Sequence, residues 1–141
     1  MFYRCSSISS TPSLPATTLA PSCYQGMFWS CTSLSAAPQL PATELANGCY
    51  GYMFSHCSNL STAPQLPATI LTDHCYWQMF HSCTNLSSIE VAFTDWNDSI
   101  SATQYWVSGV AANGTFTKPT ALSTAYGDDY IPTYWTINNS D

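Results

Sequence analysis

The stretch MFWSCTSLSAAPQLPATELANGCYGY, residues 27–52, decides the fold because the chain repeats it in register. The Met-Phe-x-x-Cys motif starts at residues 1, 27, 53 and 79, so the period is 26 residues. Twelve of the 26 columns are identical in the first three copies, and the fourth copy departs from the pattern at Ile89. A period of this length is typical of stacked-repeat architectures, in which each unit buries its apolar face against its neighbours.

Each copy predicts one short strand and one short helix. In the second copy, residues 33–37 alternate small polar and apolar side chains as a strand does, and a proline ends the run. Four side chains then follow at intervals of four: Leu45, Cys49, Met53 and Cys57. That spacing places them along one face of a short helix. We therefore expect an α/β repeat solenoid that is leucine-rich-repeat-like, with a short strand and a short helix in every 26-residue repeat.

The chain changes character after the fourth Met-Phe-x-x-Cys motif. We expect residues 1–88 to form the solenoid and residues 89–141 to form a C-terminal cap. Six of the eight acidic residues and three of the five tryptophans lie in that tail. Residues 101–108 predict a short helix, whereas residues 114–117 and 134–137 predict strands. Such a tail can close the apolar end of a repeat stack with a polar surface.

No comparable cap precedes the first Met-Phe motif. Two interpretations stay open: the chain is a fragment of a longer protein, or Met1 meets another surface, such as an upstream domain or a second copy of the chain. An open end of a stack exposes apolar side chains and unpaired strand edges, which motivates self-association as a hypothesis.

Charged residues are scarce throughout the chain. Two basic and eight acidic residues make up 7% of the sequence and give a net charge of −6 at neutral pH, whereas a typical domain has about 25% charged residues. Two cations cannot neutralise a run of phosphates, which argues against nucleic-acid binding. The apolar runs fall short of the roughly 18 residues of a membrane span, so we expect no membrane insertion.

Neither the cysteines nor the histidines form a pattern typical of a reactive or metal site. Seven cysteines occupy two columns, before Tyr and after Met-Phe, without the Cys-x-x-Cys spacing of zinc sites. Helices packed about 8–10 Å apart would put disulfides down a column out of reach, so we expect buried free thiols. The adjacency of His74 to Asp73 is the one hint of a metal site, and chance explains it better. We expect no catalytic residue, no metal and no cofactor, and hence no enzyme.

The informative side chains lie in columns that vary between copies. Columns that are fixed by packing would not vary among stacked repeats, so these columns should face solvent, and they carry rings. The candidate ligand-binding residues are Tyr3, Trp29, Tyr52, His56, Trp77 and His81. Rings with polar tips suit recognition of a protein or a neutral glycan. Packing of the rings between repeats or between chains explains the pattern equally well.

Met-Phe-x-x-Cys-x-x-Leu followed by a proline turn resembles the BspA-like leucine-rich repeats. Leu-Pro-Ala-Thr at residues 40–43 and Cys-Tyr-x-x-Met-Phe at residues 49–54 resemble a subtype found in surface proteins of Bacteroidetes and their phages. Residues 106–110 and 114–116 resemble the C-terminal end of that subtype. The resemblance implies a leucine-rich-repeat fold and an adhesive or ligand-binding role, and it names no ligand.

Together these observations predict a non-enzymatic binding or adhesion module on a cell surface, outside the cell or on a virion. Its partners would be a host or bacterial surface protein or a glycan, with self-association in addition. The alternative is a structural subunit that assembles into an extracellular filament or phage fibre through its uncapped N-terminal end.

Overall fold

The computed structural model describes residues 2–141, so the first column of the first repeat, Met1, lies outside the described residues. Across residues 2–141 no α-helix forms, and a 3₁₀ turn spans Asp98–Ile100. The regular strands are short and follow the third repeat: β1 Ser88–Glu90, β2 Thr115–Lys118 and β3 Thr136–Asn139. The expected α/β leucine-rich-repeat solenoid, with a strand and a helix in every repeat, is therefore wrong.

Overlapping four-residue turns take the place of the predicted helices. In residues 22–31 every odd-numbered residue donates its backbone N–H to the carbonyl three positions earlier, as Met27 does to Tyr24 at 3.2 Å. The even-numbered residues donate to the next repeat instead, as Phe28 does to Met53 at 2.9 Å. An α-helix would use both sets of N–H groups internally. The turns leave half of them free to join neighbouring repeats.

These cross-repeat hydrogen bonds, 2.7–3.3 Å long, stack the repeats directly on one another. Five of them join residues 22–30 to 47–55, five join 48–56 to 73–81, and five join 74–82 to 100–108. The last set shows that the turns continue beyond the point where the sequence pattern stops. The helix predicted over residues 101–108 is therefore wrong, because this segment repeats the turns of the copies before it.

Left-handed backbone at every fourth residue allows the turns to continue. In the turns of residues 48–56, the φ angles of Gly48, Tyr52 and His56 are 63°, 42° and 63°. Glycine adopts this conformation freely, whereas other residues lose about 1–2 kcal/mol, which the cross-repeat hydrogen bonds offset. The buried Cys49 and Met53 recur at the same interval of four. The spacing that predicted a helix thus arises from a four-residue turn.

Identical side chains stack along the axis of the repeats and form the core. One column contains Phe2, Phe28, Phe54 and Phe80, with neighbouring ring centroids 5.5, 5.6 and 5.9 Å apart. A second column contains Tyr24, Tyr50 and Tyr76, with centroids 6.1 Å apart. Full burial of one such ring contributes about 1.5–3 kcal/mol, so each repeat is stabilised mainly by its neighbours.

The remaining part of each repeat is extended, and it is unpaired between the first three copies, whereas the third copy pairs with the fourth, as Ala63 N–H does with the Ser88 carbonyl at 2.9 Å. Within the described chain, no backbone hydrogen bond joins residues 32–45 to residues 6–19 or 58–71. The strand predicted over residues 33–37 does not form, since the prolines of this part have no N–H to donate to a ladder. In the fourth copy Glu90 and Phe93 occupy the columns of those prolines, and strand pairing begins there.

The three strands form a parallel sheet in the order β1-β2-β3. Ile89 pairs with Phe116, and Phe116 pairs with Ile137. Two strands had been expected in the tail, over residues 114–117 and 134–137. Both are confirmed as β2 and β3, which begin one and two residues later.

The tail also supplies hydrogen-bond partners to the last set of turns. The Asp129 carboxylate accepts the N–H of Tyr105 at 2.6 Å, where a further repeat would offer a carbonyl. Three indole N–H groups donate to backbone carbonyls at 2.8–3.0 Å: those of Trp96, Trp106 and Trp135. The Asp129 carboxylate and the three indole groups therefore provide hydrogen bonds to backbone N–H and carbonyl groups at this end of the stack.

Candidate ligand-binding surface

The six predicted ring residues lie in two lines that run along the stack. In the first line Tyr3 stacks on Trp29 with centroids 4.7 Å apart and planes 11° apart. The line continues through His56, 5.6 Å from Trp29, to His81, 5.3 Å from His56. The turns produce this line because neighbouring repeats are joined by backbone hydrogen bonds in these same columns.

The second line contains the two remaining candidates. Tyr52 packs on Trp77 with centroids 4.7 Å apart and planes tilted by 50°. The imidazole of His74 meets the Trp77 ring edge-on at 5.3 Å. The indole Nε1 of Trp77 is buried and has no hydrogen-bond partner within residues 2–141. The structure therefore brings all six candidates, which come from four successive repeats, into ring contacts.

The rings pack on one another and also remain open to solvent. Tyr3 is 50% exposed and His56 is exposed, whereas Trp29, Tyr52 and His81 are half-buried. Contacts between the repeats thus cover part of the surface of each ring, and the remaining part is accessible to a ligand. The two sequence interpretations, packing and recognition, describe different sides of the same rings, and the ligand-binding role itself stays a prediction.

A cleft of about 350 Å³ separates the two lines. Its lining residues are Tyr3, Gln25, Gly26, Trp29 and Tyr52. Three of the six candidates therefore share one cavity, whose volume falls in the range typical of small-ligand sites.

Sequence reasoning missed three residues around this cleft. Gln25 and Gly26 line it, and the guanidinium carbon of Arg4 lies 5.0 Å from the centroid of the Trp29 ring. Arg4 lies 5.6 Å from the Tyr3 centroid as well, so a cation–π contact holds both rings. Their position in the repeat could have identified them, because all three residues occupy the same variable columns as the predicted rings.

The pKa of His81 in the first line is lowered by its surroundings. Burial lowers the pKa of His81, and the neighbouring His56 lowers it further, while Asp128 acts in the opposite direction. Nδ1 of His81 also lies 3.1 Å from the Ser82 hydroxyl. A neutral imidazole is thus favoured at His81, which suits contact of this ring with an uncharged ligand.

His74 and Asp73, the one pair that hinted at a metal site, do form a contact of 2.6 Å between Nδ1 and Oδ1. Among residues 2–141, however, no three His, Cys, Asp or Glu side chains are grouped so that they could hold a metal ion. The pair is exposed and lies beside Trp77, so it orients the imidazole against that ring.

The cysteines lie inside the stack. Five are fully buried, as expected, whereas Cys5 and Cys23 are exposed, so the expectation of burial is wrong for these two. The Cys57 thiol donates to the Phe28 carbonyl of the preceding repeat at 3.1 Å, and Cys31 and Cys83 form the equivalent bonds. Burial raises the pKa of the Cys57 thiol to about 12. All seven cysteines are free, but the assumption of helices 8–10 Å apart was wrong, because hydrogen-bonded turns lie closer.

A cavity of about 650 Å³ lies away from the ring lines. It separates residues 10–15 of the first repeat from residues 36–41 of the second, and prolines and small side chains line it. Related cavities of about 380 and 290 Å³ follow between the next repeats. The first two lie where the extended segments have no backbone hydrogen bonds across repeats, and none of the three is lined by an aromatic ring.

No described segment forms a helix that could span a lipid bilayer. No known protein family, curated protein or solved structure matches this chain. The resemblance to BspA-like repeats therefore stays a prediction from the motif, and the chemistry of the surface has to be inferred from its own residues.

Proposed function

We propose that the protein is a non-enzymatic binding or adhesion module that recognises a protein or carbohydrate through its lines of rings. One observation carries this proposal: Tyr3 of the first repeat and Trp29 and Tyr52 of the second converge on one cleft. Aromatic side chains with two rotatable bonds offer large contact areas at a small entropic cost. Converging rings that stay partly exposed are typical of recognition surfaces.

The scaffold beneath the rings supports the same proposal. Each ring belongs to a turn that is hydrogen-bonded to the next repeat, for example Tyr52 N–H to the Trp77 carbonyl at 2.8 Å. Rings held in this way lose little freedom when a ligand binds, and that preorganisation favours affinity. The cleft also lacks a nucleophile paired with a base, so its residues are suited to contact rather than to bond cleavage.

The proposed location is a cell surface, the extracellular space or a virion. The motif resemblance to BspA-like surface proteins supports it, and so does a surface with few charges, which repels other negatively charged surfaces little. A partner on another cell or particle would meet the rings of several repeats at once.

An array of purified extracellular-matrix proteins, bacterial surface proteins and glycans tests the proposal. The wild-type chain should bind at least one of them, and the double variant Trp29→Ala/Trp77→Ala should lose that binding. Tyr134→Ala is the matched control, because Tyr134 is an 85% exposed ring in the tail, outside both lines. Equal binding by the wild type and the double variant, or no binding to any member of the array, would contradict the proposal.

A further inference from the structure

The cleft beside Trp29 exists because one repeat lacks a side chain that the others carry. Gly26, Tyr52 and Gln78 occupy the same column, and all three have positive φ. A Cβ built at Gly26 would lie 4.0 Å from Cδ2 of Tyr52. A longer side chain at this position would therefore fill the space beside the Tyr52 ring. Glycine leaves that space open.

The opposite wall of the cleft consists of two rings that stack on each other and are held in place. Tyr3 and Trp29 are nearly parallel, with planes 11° apart. Arg4 contacts both rings through its guanidinium group, and its backbone N–H donates to the Trp29 carbonyl at 2.8 Å. This wall is formed before any ligand arrives, so little ordering is needed on binding.

The chemistry of the lining selects among ligand classes. Three rings, one amide and one glycine line the cleft, and none of these five residues carries a charge at neutral pH. A ligand that matches them needs apolar faces for the rings and uncharged polar groups at its edge. A pyranose has both, since its C–H bonds form the faces and its hydroxyl groups form the edge. A protein partner would instead bury about 800 Å² on each side, with about 20–30 residues, whereas five residues line this cleft.

We infer that the cleft binds a neutral carbohydrate, with a pyranose ring between Tyr52 and the Tyr3–Trp29 pair and its hydroxyl groups bonded to the Gln25 amide. This inference rests on the proposed function and adds the class of ligand. The line of rings continues from the cleft through His56 to His81, at 5.6 and 5.3 Å. An oligosaccharide would therefore extend along the stack over these imidazoles.

Titration calorimetry of the full chain with neutral hexasaccharides tests the inference. The probes are linear oligomers of glucose, mannose, galactose and N-acetylglucosamine, with a sialylated and a sulfated oligosaccharide for comparison. We expect at least one neutral probe to bind, and Trp29→Ala to weaken it about tenfold, equivalent to about 1.4 kcal/mol. The charged probes should bind no better than the neutral ones.

Gly26→Gln is the decisive variant. It fills the cleft with the side chain that the third repeat carries in the same column at a φ of 50°, so the backbone accepts it at the cost that other non-glycine residues meet in this conformation. Binding of the neutral probe should disappear in Gly26→Gln and persist in Tyr134→Ala, with both variants folded by near-ultraviolet circular dichroism. Binding that survives Gly26→Gln, or no binding of any neutral probe, overturns the inference.

The two proposals fail in different ways. A chain that ignores all neutral probes but binds an array protein through Trp29 and Trp77 contradicts only the carbohydrate inference. A chain whose binding to every array member and probe is unaffected by Trp29→Ala/Trp77→Ala contradicts the proposed function as well.

Discussion

Gly114 lies at the start of β2, between two strands that approach it closely. A Cβ at this position would lie 2.5 Å from the carbonyl oxygen and 2.9 Å from the carbonyl carbon of Ser87, and 2.7 Å from Cε2 of Trp135. Ordinary contacts of this kind are about 3.5–4.0 Å. Gly114→Ala should therefore force the backbone next to β1 and the Trp135 ring away by about 1 Å.

The size of the effect follows from what that movement disturbs. Overpacking a close contact costs about 1–3 kcal/mol. Two strand hydrogen bonds flank the glycine, from Thr115 N–H to the Ser87 carbonyl and from Thr136 N–H to the Gly114 carbonyl, each 2.8 Å long. Weakening them adds about 1 kcal/mol. We expect the free energy of unfolding to fall by about 2–4 kcal/mol.

Urea denaturation followed by tryptophan fluorescence measures this change, and Gly51→Ala is the matched control. The nearest atom to a Cβ at Gly51 is the Gly48 carbonyl oxygen at 3.5 Å, an ordinary contact, so that variant should lose less than about 1 kcal/mol. If Gly114→Ala costs no more than Gly51→Ala, the steric reasoning and the packing of β2 against β1 are refuted.

Three further predictions concern buried groups. The Tyr76 hydroxyl is buried and unpartnered within residues 2–141, so Tyr76→Phe should raise the free energy of unfolding by about 1 kcal/mol. Tyr24→Phe, a half-buried control in the same column, should not, and a loss of stability in Tyr76→Phe would count against the prediction. Of seven cysteines, two are exposed, so a thiol reagent counted by mass spectrometry should label Cys5 and Cys23 rapidly in the native protein; rapid labelling of all seven would refute the burial. Burial raises the pKa of Cys57 to about 12, whereas an unfolded thiol ionises near about pH 8.5. The contribution of the protonated Cys57 thiol to the free energy of unfolding should be complete below about pH 8.5. It should decline by about 1.4 kcal/mol per pH unit as the pH rises towards 12. A urea midpoint that does not change from about pH 8 to about pH 10 would refute this prediction.

The sequence alone predicted most of the columns that face inward and those that carry rings, but it was wrong for the exposed Cys5 and Cys23 and for the buried Ser55. Columns with the same residue in every copy, such as Phe28 and Phe54, stack as expected from their identity, because equivalent positions of neighbouring repeats are adjacent. Variable columns such as those of Trp29 and Tyr52 remain partly exposed. The strands β2 and β3 were also predictable, since their polar and apolar residues alternate between glycine and proline turns.

The cleft was not predictable from the sequence of any one repeat. It depends on Gly26 lying beside Tyr52, which requires knowing how the first repeat is placed against the second. Arg4 escaped notice for the same reason, because its two ring partners become neighbours only when the repeats stack.

The sequence by itself determined the 26-residue period, the stacked columns and the polar tail that satisfies the last turns. Only the tertiary structure decided that each repeat is built from turns rather than from a helix. Apolar residues spaced by four, such as Cys49 and Met53, suit both conformations locally. The choice depends on where alternate N–H groups find acceptors, and those acceptors lie 25 or 26 residues away in the next repeat. Local propensity cannot report a hydrogen bond to a distant segment, so the backbone conformation follows from the stacking itself.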